Sequence, residues 1–142
     1  MAAEADKALV RRLFEDVWNQ GNLEAAGEIV DQHYSSIENQ TFPSAPGPQI
    51  VAADLELYRS LYDGLNFKIK RMFTEGHTIV TIWTASGTSK VETFFDRSGR
   101  ERPMSLEAEG VSLTEVRDGK IKAHRFLWPR VRCPHEPSGN AS

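Results

Sequence analysis

The hydrophobic period changes once along this chain, from 3.6 residues before Gly64 to 2 residues after it. A chain patterned that way has its helices first and its strands last, with no βαβ alternation, which restricts it to an α+β architecture. Leu9, Leu13 and Val17 form one i, i+4 row, and Val10, Phe14 and Trp18 form the next, predicting an amphipathic helix over about 4–20. Asn19-Gln20-Gly21-Asn22 then stops one helix and starts another: Gly21 suits the left-handed position after a C-terminus, and Asn22 suits an N-cap. The second helix carries Leu23, Ala26, Ile29 and Val30 and is expected to run to His33-Tyr34. Thr41 to Gln49 is a Pro-rich loop in which Pro48 is placed to open a third helix. Ile50, Val51, Leu55, Tyr58, Leu61 and Tyr62 make the stripe of that helix, and Asp63-Gly64 closes it.

Beyond Gly64, Phe67, Ile69, Arg71 and Phe73 alternate with Lys68, Lys70 and Met72, and Glu75-Gly76-His77 turns the chain. Strands are expected over 78–88, 91–95, 103–116 and 121–128, with turns at Asp96 to Arg100 and at Arg117-Asp118-Gly119-Lys120. The apolar phase flips within 103–116: Met104, Leu106 and Ala108 are even-numbered, Val111 and Leu113 odd. One extra residue restores it, so a β-bulge is expected near Glu109-Gly110. The last strand is apolar on both phases, Ile121 and Leu127 on one, Phe126 and Trp128 on the other. Both its faces are therefore expected to be covered, one by helices and one by a second copy of the chain. Helices laid in the hollow of such a curved antiparallel sheet leave a cone with one open mouth, the default shape of a small-molecule pocket.

The 142 residues suit one domain, expected over 1–129, with a polar, Pro-containing C-terminal tail over 130–142 expected to be mobile. Seventeen Lys and Arg against twenty Asp and Glu, a net charge of −3, leave no basic excess for a nucleic-acid partner. No apolar run approaches a membrane span, and the N-terminus has neither the basic nor the apolar stretch of a secretory leader. Cys133 is the single cysteine, so no internal disulfide forms, and a reducing, cytoplasmic setting is expected. His33, His77 and His135 are dispersed, and no metal is expected.

Several segments resemble one family. Val17-Trp18-Asn19-Gln20-Gly21-Asn22-Leu23-Glu24, Pro46-Gly47-Pro48, Trp83-Thr84-Ala85-Ser86-Gly87-Thr88, and Asp118-Gly119-Lys120-Ile121 followed by His124 resemble, in order, the motifs of SnoaL-like polyketide cyclases, a branch of the NTF2-like superfamily. The resemblance spans about residues 5–128. It implies three helices on a strongly curved sheet, a hydrophobic small-molecule substrate, no cofactor, and a homodimer paired through the outer sheet face. Two positions depart from the pattern. Ile37 stands where the family often has a histidine, and the "EHW" segment reads Ala123-His124-Arg125.

By the same resemblance, Glu38 stands where ketosteroid isomerase, a relative on this fold, carries its catalytic carboxylate, and the last two strands should supply a histidine and an acid. Those strands offer Glu107, Glu109, Ser112 and His124. His124 shares a strand phase with Phe126 and Trp128, a setting that keeps imidazole neutral and able to serve as acid or base. Glu107 and Glu109, separated by Ala108, would split their pKa values if both were buried, and Arg125 could relieve them with a bidentate pair. At most one of the two is expected to face the pocket. Tyr34, Tyr58, Tyr62, Trp83, Phe67 and Phe126 are candidate walls for a flat ligand. The expected reaction is proton abstraction next to a carbonyl followed by ring closure or isomerisation. Epoxide opening by Glu107, Glu109 and Arg125, or ligand binding without catalysis, are the alternatives.

Overall fold

The computed structural model describes residues 2–36 and 47–129; Glu38, Ile37, most of the Pro-rich loop and the tail lie outside them. Helix α1 (Ala2–Arg12) runs into a π-helical segment (Leu13–Trp18), and Gly21 at φ +74° ends it as the sequence predicts. The Gly21 N–H donates to the Val17 carbonyl at 2.8 Å and the Asn22 N–H to the Asp16 carbonyl at 3.0 Å. Asn22 caps α2 (Leu23–Ile29), its side chain accepting from the Ala25 N–H at 3.1 Å. That helix stops earlier than expected. His33 and Tyr34 belong to a strand, β1 (Val30–Ser36), and not to the helix. Helix α3 (Gly47–Leu61) holds Pro48 at its start and buries Ile50, Val51 and Leu55.

Four long strands follow: β2 (Tyr62–Glu75), β3 (Thr78–Phe95), β4 (Glu101–Arg117) and β5 (Lys120–Leu127). The sheet order is β1-β5-β4-β3-β2, antiparallel except that β1 runs parallel to β5, so the sheet is mixed. The two expected strands at 78–88 and 91–95 form one strand with a wide bulge over Ser89–Glu92. The Ser89 hydroxyl there accepts from the Val91 and Glu92 N–H groups at 3.2 and 2.8 Å.

The bulge expected at Glu109-Gly110 is absent, for β3 and β4 pair without interruption from Thr78↔Glu115 to Thr88↔Ser105. Polarity, not backbone phase, switches there. Gly110, Ser112, Thr114 and Val116 are buried on the inner face, and Val111 and Leu113 sit half-buried on the outer one. The one-residue bulges fall instead at Lys70, between the pairs Ile69↔Trp83 and Arg71↔Ile82, and at Lys122, between Ala123 and Ile121. The first carries the inner phase from Phe67 and Ile69 to Met72, leaving Arg71 and Phe73 outside. The second puts Ile121, His124 and Phe126 on one face. The outer face of β5 therefore holds Arg125 and Leu127, which stay exposed among the described residues.

Helices α1 and α3 and the π-helical segment pack on the inner face, which buries Val10, Leu13, Phe14, Val17 and Trp18. Each such side chain contributes roughly 1.5–3 kcal/mol of burial. Asn19 locks this layer to the sheet: its Nδ2 donates to the Phe67 carbonyl at 2.8 Å and its Oδ1 accepts from the Phe67 N–H at 2.7 Å.

Candidate active site

Strand β5 delivers His124 to the inner face two residues past its bulge, directly opposite Thr114. The imidazole is 3 % exposed, with the Phe14 and Phe126 rings edge-on to it at centroid distances of 5.7 and 4.5 Å. Nδ1 lies 3.0 Å from the Thr114 hydroxyl, and Nε2 has no hydrogen-bond partner among the described residues. Burial in this apolar setting pushes the pKa down to about 3, so the ring is neutral at physiological pH. If the Thr114 hydroxyl donates to Nδ1, Nε2 carries the proton and is a donor. If Nδ1 donates to Thr114, Nε2 is a base.

A row of small polar residues continues from His124 across the sheet. Thr114 and Ser112 on β4 and Thr81 on β3 are fully buried on the same inner face, and Thr81 and Ser112 are direct cross-strand partners. The Trp83 Nε1–H donates to the Ser112 hydroxyl at 2.9 Å, which leaves the Ser112 proton free to be given elsewhere. Above this row lies a cluster of rings. Phe126 is its hub, touching Trp18 at 5.0 Å, stacked on Phe67 at 5.2 Å and edge-on to Trp83 at 5.7 Å. Toward the surface the half-buried Tyr58 and Trp128 stack at 6.0 Å, and the Trp128 Nε1–H donates to the Tyr58 hydroxyl at 3.1 Å. Ring contacts thus run unbroken from Tyr58 and Trp128 through Phe126 to His124.

Of the residues picked out in the sequence, the fold gathers His124, Ser112, Trp83, Phe67, Phe126 and Tyr58 on this inner face. Tyr34 is buried on β1, the neighbour of β5. Glu107, Glu109 and Arg125 go the other way. Their positions alternate with the buried ones, so all three are exposed on the outer face, and Glu109 pairs with Lys70 at 3.2 Å. Tyr62 lines a separate cleft of about 320 Å³ where α3 meets β2, with Asn19, Arg59, Asp63 and Lys90. Among the described residues no three His, Cys, Asp or Glu side chains are gathered closely enough to hold a metal ion.

Three inner residues escaped the sequence reading. Thr81 and Thr114 look like ordinary strand threonines. Asp54, buried at 2 % exposure on α3, did leave a trace: it interrupts the Ile50, Asp54, Tyr58 row of an otherwise apolar stripe.

The model of the SnoaL-like polyketide cyclase family matches residues 8–132, nearly the whole chain. This chain belongs to that family. A family member by assignment, from Jannaschia sp. CCS1, superposes with a TM-score of 0.69 at 20 % identity, covering 89 % of this chain and 86 % of the other. A protein with a ketosteroid isomerase-like fold from Catenulispora acidiphila, solved with trimethylamine, gives 0.64 at 12 % identity, covering 84 % and 83 %. An LEH-like epoxide hydrolase from M. tuberculosis gives 0.64 at 14 % identity, covering 91 % and 86 %. At these identities the family's fold is shared across different chemistries. No curated protein matches this chain. No helix among the described residues is long and apolar enough to cross a membrane.

Proposed function

We propose that this chain is a cofactor-independent cyclase or isomerase that moves a proton next to a carbonyl on an apolar ring-forming substrate, with His124 as its acid–base group. One observation carries the reading: a neutral imidazole on the inner face of the cone, fixed through Nδ1 by Thr114 and presenting an unpartnered Nε2 beneath an all-aromatic cluster. A neutral imidazole can take or give a proton without first losing one to solvent. The carboxylate we pair with it is Glu38, which lies outside the described residues; Asp54 is the buried carboxylate that would replace it. The outward placement of Glu107, Glu109 and Arg125 removes the trio on which epoxide opening rested.

The test needs no knowledge of the natural substrate. Exchange of the α-protons of α-tetralone with D₂O, followed by NMR, reports enolisation directly. Wild-type protein should accelerate it, and His124→Gln, which keeps most of the volume, should reduce the acceleration by roughly 10²–10⁴. Exchange at the buffer rate with wild-type protein would leave a binding module in place of an enzyme. Full exchange in His124→Gln would move the chemistry to another residue.

The same reading extends to assembly. Phe73, Val80 and Leu113 align across three strands of the outer face, and Ile82, Val111 and Leu127 align beside them. We assign this apolar surface to a homodimer contact, supported by the partial exposure of all six side chains in the single chain.

A further inference from the structure

Among the described residues, Thr81 is the member of the buried polar row that has no hydrogen-bond partner. Its residue exposure is 0 %, and its Oγ1 has no hydrogen bond among the described residues. A hydroxyl left unsatisfied in a core is a standing cost, one that valine in the same shape would avoid, so its presence calls for a reason. The neighbours suggest one. Ser112, its cross-strand partner on β4, accepts from Trp83 and keeps a proton to give. Phe126, the cross-strand partner of Ser112 on β5, lies edge-on to His124 at 4.5 Å. Thr81, Ser112 and His124 therefore occupy three adjacent strands of one inner face, with Trp83 bonded to Ser112 and the Phe14 and Phe126 rings against His124.

We propose that Thr81 is a specificity-determining residue: together with Ser112 it holds the oxygen of a carbonyl-bearing ring compound that enters by displacing the Phe126 ring, so that the carbon next to the carbonyl lies at His124. This rests on the acid–base reading above and adds the group that orients the substrate. The recognised class is a flat, otherwise apolar ketone, since the rings supply no further donors at that depth while two hydroxyls match one carbonyl oxygen.

The test compares α-tetralone with tetralin, which lacks the carbonyl, by quenching of tryptophan fluorescence in wild type, Thr81→Val and Thr81→Ser. Thr81→Val should weaken α-tetralone binding by about 3- to 10-fold, the usual range for one neutral hydrogen bond, and leave tetralin unchanged. Thr81→Ser should keep most of the ketone preference. Thr81→Val should also melt no lower than wild type, because the lost hydroxyl had no partner. An unchanged ketone-to-tetralin ratio in Thr81→Val overturns the assignment. So does a lower melting temperature with equal loss of both probes, which would make the hydroxyl structural. Failure of the acid–base reading looks different: ketone preference that depends on Thr81, with no proton exchange by wild-type protein, leaves the binding role standing and removes the chemistry. Wild-type protein that binds neither probe overturns both.

Discussion

Trp83 and Gly110 face each other across β3 and β4, and the indole occupies the space that a side chain at 110 would need. A Cβ built on Gly110 falls within 2.6 Å of Trp83 Cζ2 and 2.9 Å of the Leu127 carbonyl oxygen. The glycine therefore lets the indole lie close to the sheet, where its N–H reaches Ser112.

Gly110→Ala must push that ring away. The expected loss is roughly 1–3 kcal/mol, the range for overpacking a tight core. The urea midpoint should fall with an unchanged slope, and the near-UV circular dichroism of the tryptophans should change.

Asn19 forms both of its side-chain bonds with the backbone of Phe67. Asn19→Ala leaves a backbone N–H and a carbonyl without partners in a half-buried position, at a cost of about 1–3 kcal/mol. Amide exchange at Phe67 should speed up. Equal protection in the variant would show that the π-helical segment is held by packing alone.

The pH dependence follows from His124. Its folded pKa of about 3 lies below the 6.5 of free imidazole, so the unfolded chain takes up the proton first as pH falls. Its contribution is complete above about pH 6.5 and declines toward pH 3, by roughly 1.4 kcal/mol per pH unit where the unfolded histidine is protonated. His124→Gln should flatten that acid limb in urea titrations between pH 6 and pH 4. An identical limb in both proteins would mean the imidazole is accessible to protons in the folded state.

Val111→Arg places a charge in the middle of the outer apolar surface. Sedimentation should show wild-type dimer and variant monomer at micromolar concentration, with the melting curve of the variant still cooperative. A variant that remains dimeric would move the contact off this face.

The first and third helices, the Gly21-Asn22 junction and the tight hairpins were readable because each has a local signature: i, i+4 rows, a capping amide, glycines between alternating runs. Strand β1 had none. Its partner β5 lies about 90 residues away, and Val-Asp-Gln-His-Tyr extends the preceding helix as plausibly as it forms a parallel edge. The bulges at Lys70 and Lys122 were hidden by polar residues that fit either phase. The apparent flip near Gly110 misled for a different reason, since Ser112 and Thr114 are small and polar yet face inward. The inward orientation of His124 was legible because its strand mates Phe126 and Trp128 are aromatic, whereas Thr81, also inward, carried no mark that separates it from any strand threonine.

The parallel pairing of β1 with β5 also sets when this chain can finish folding. Ser36 aligns with His124, and Val30 with Ile121, so an early segment waits for β5, about 90 residues further on, to leave the ribosome before its edge is closed. Until then the helices have only a partial sheet to rest on, and the strand that will flank the histidine has no ladder. Closing that long loop late makes the domain an all-or-none product of synthesis: a chain halted before Lys120 lacks both the imidazole and the strand that seats β1.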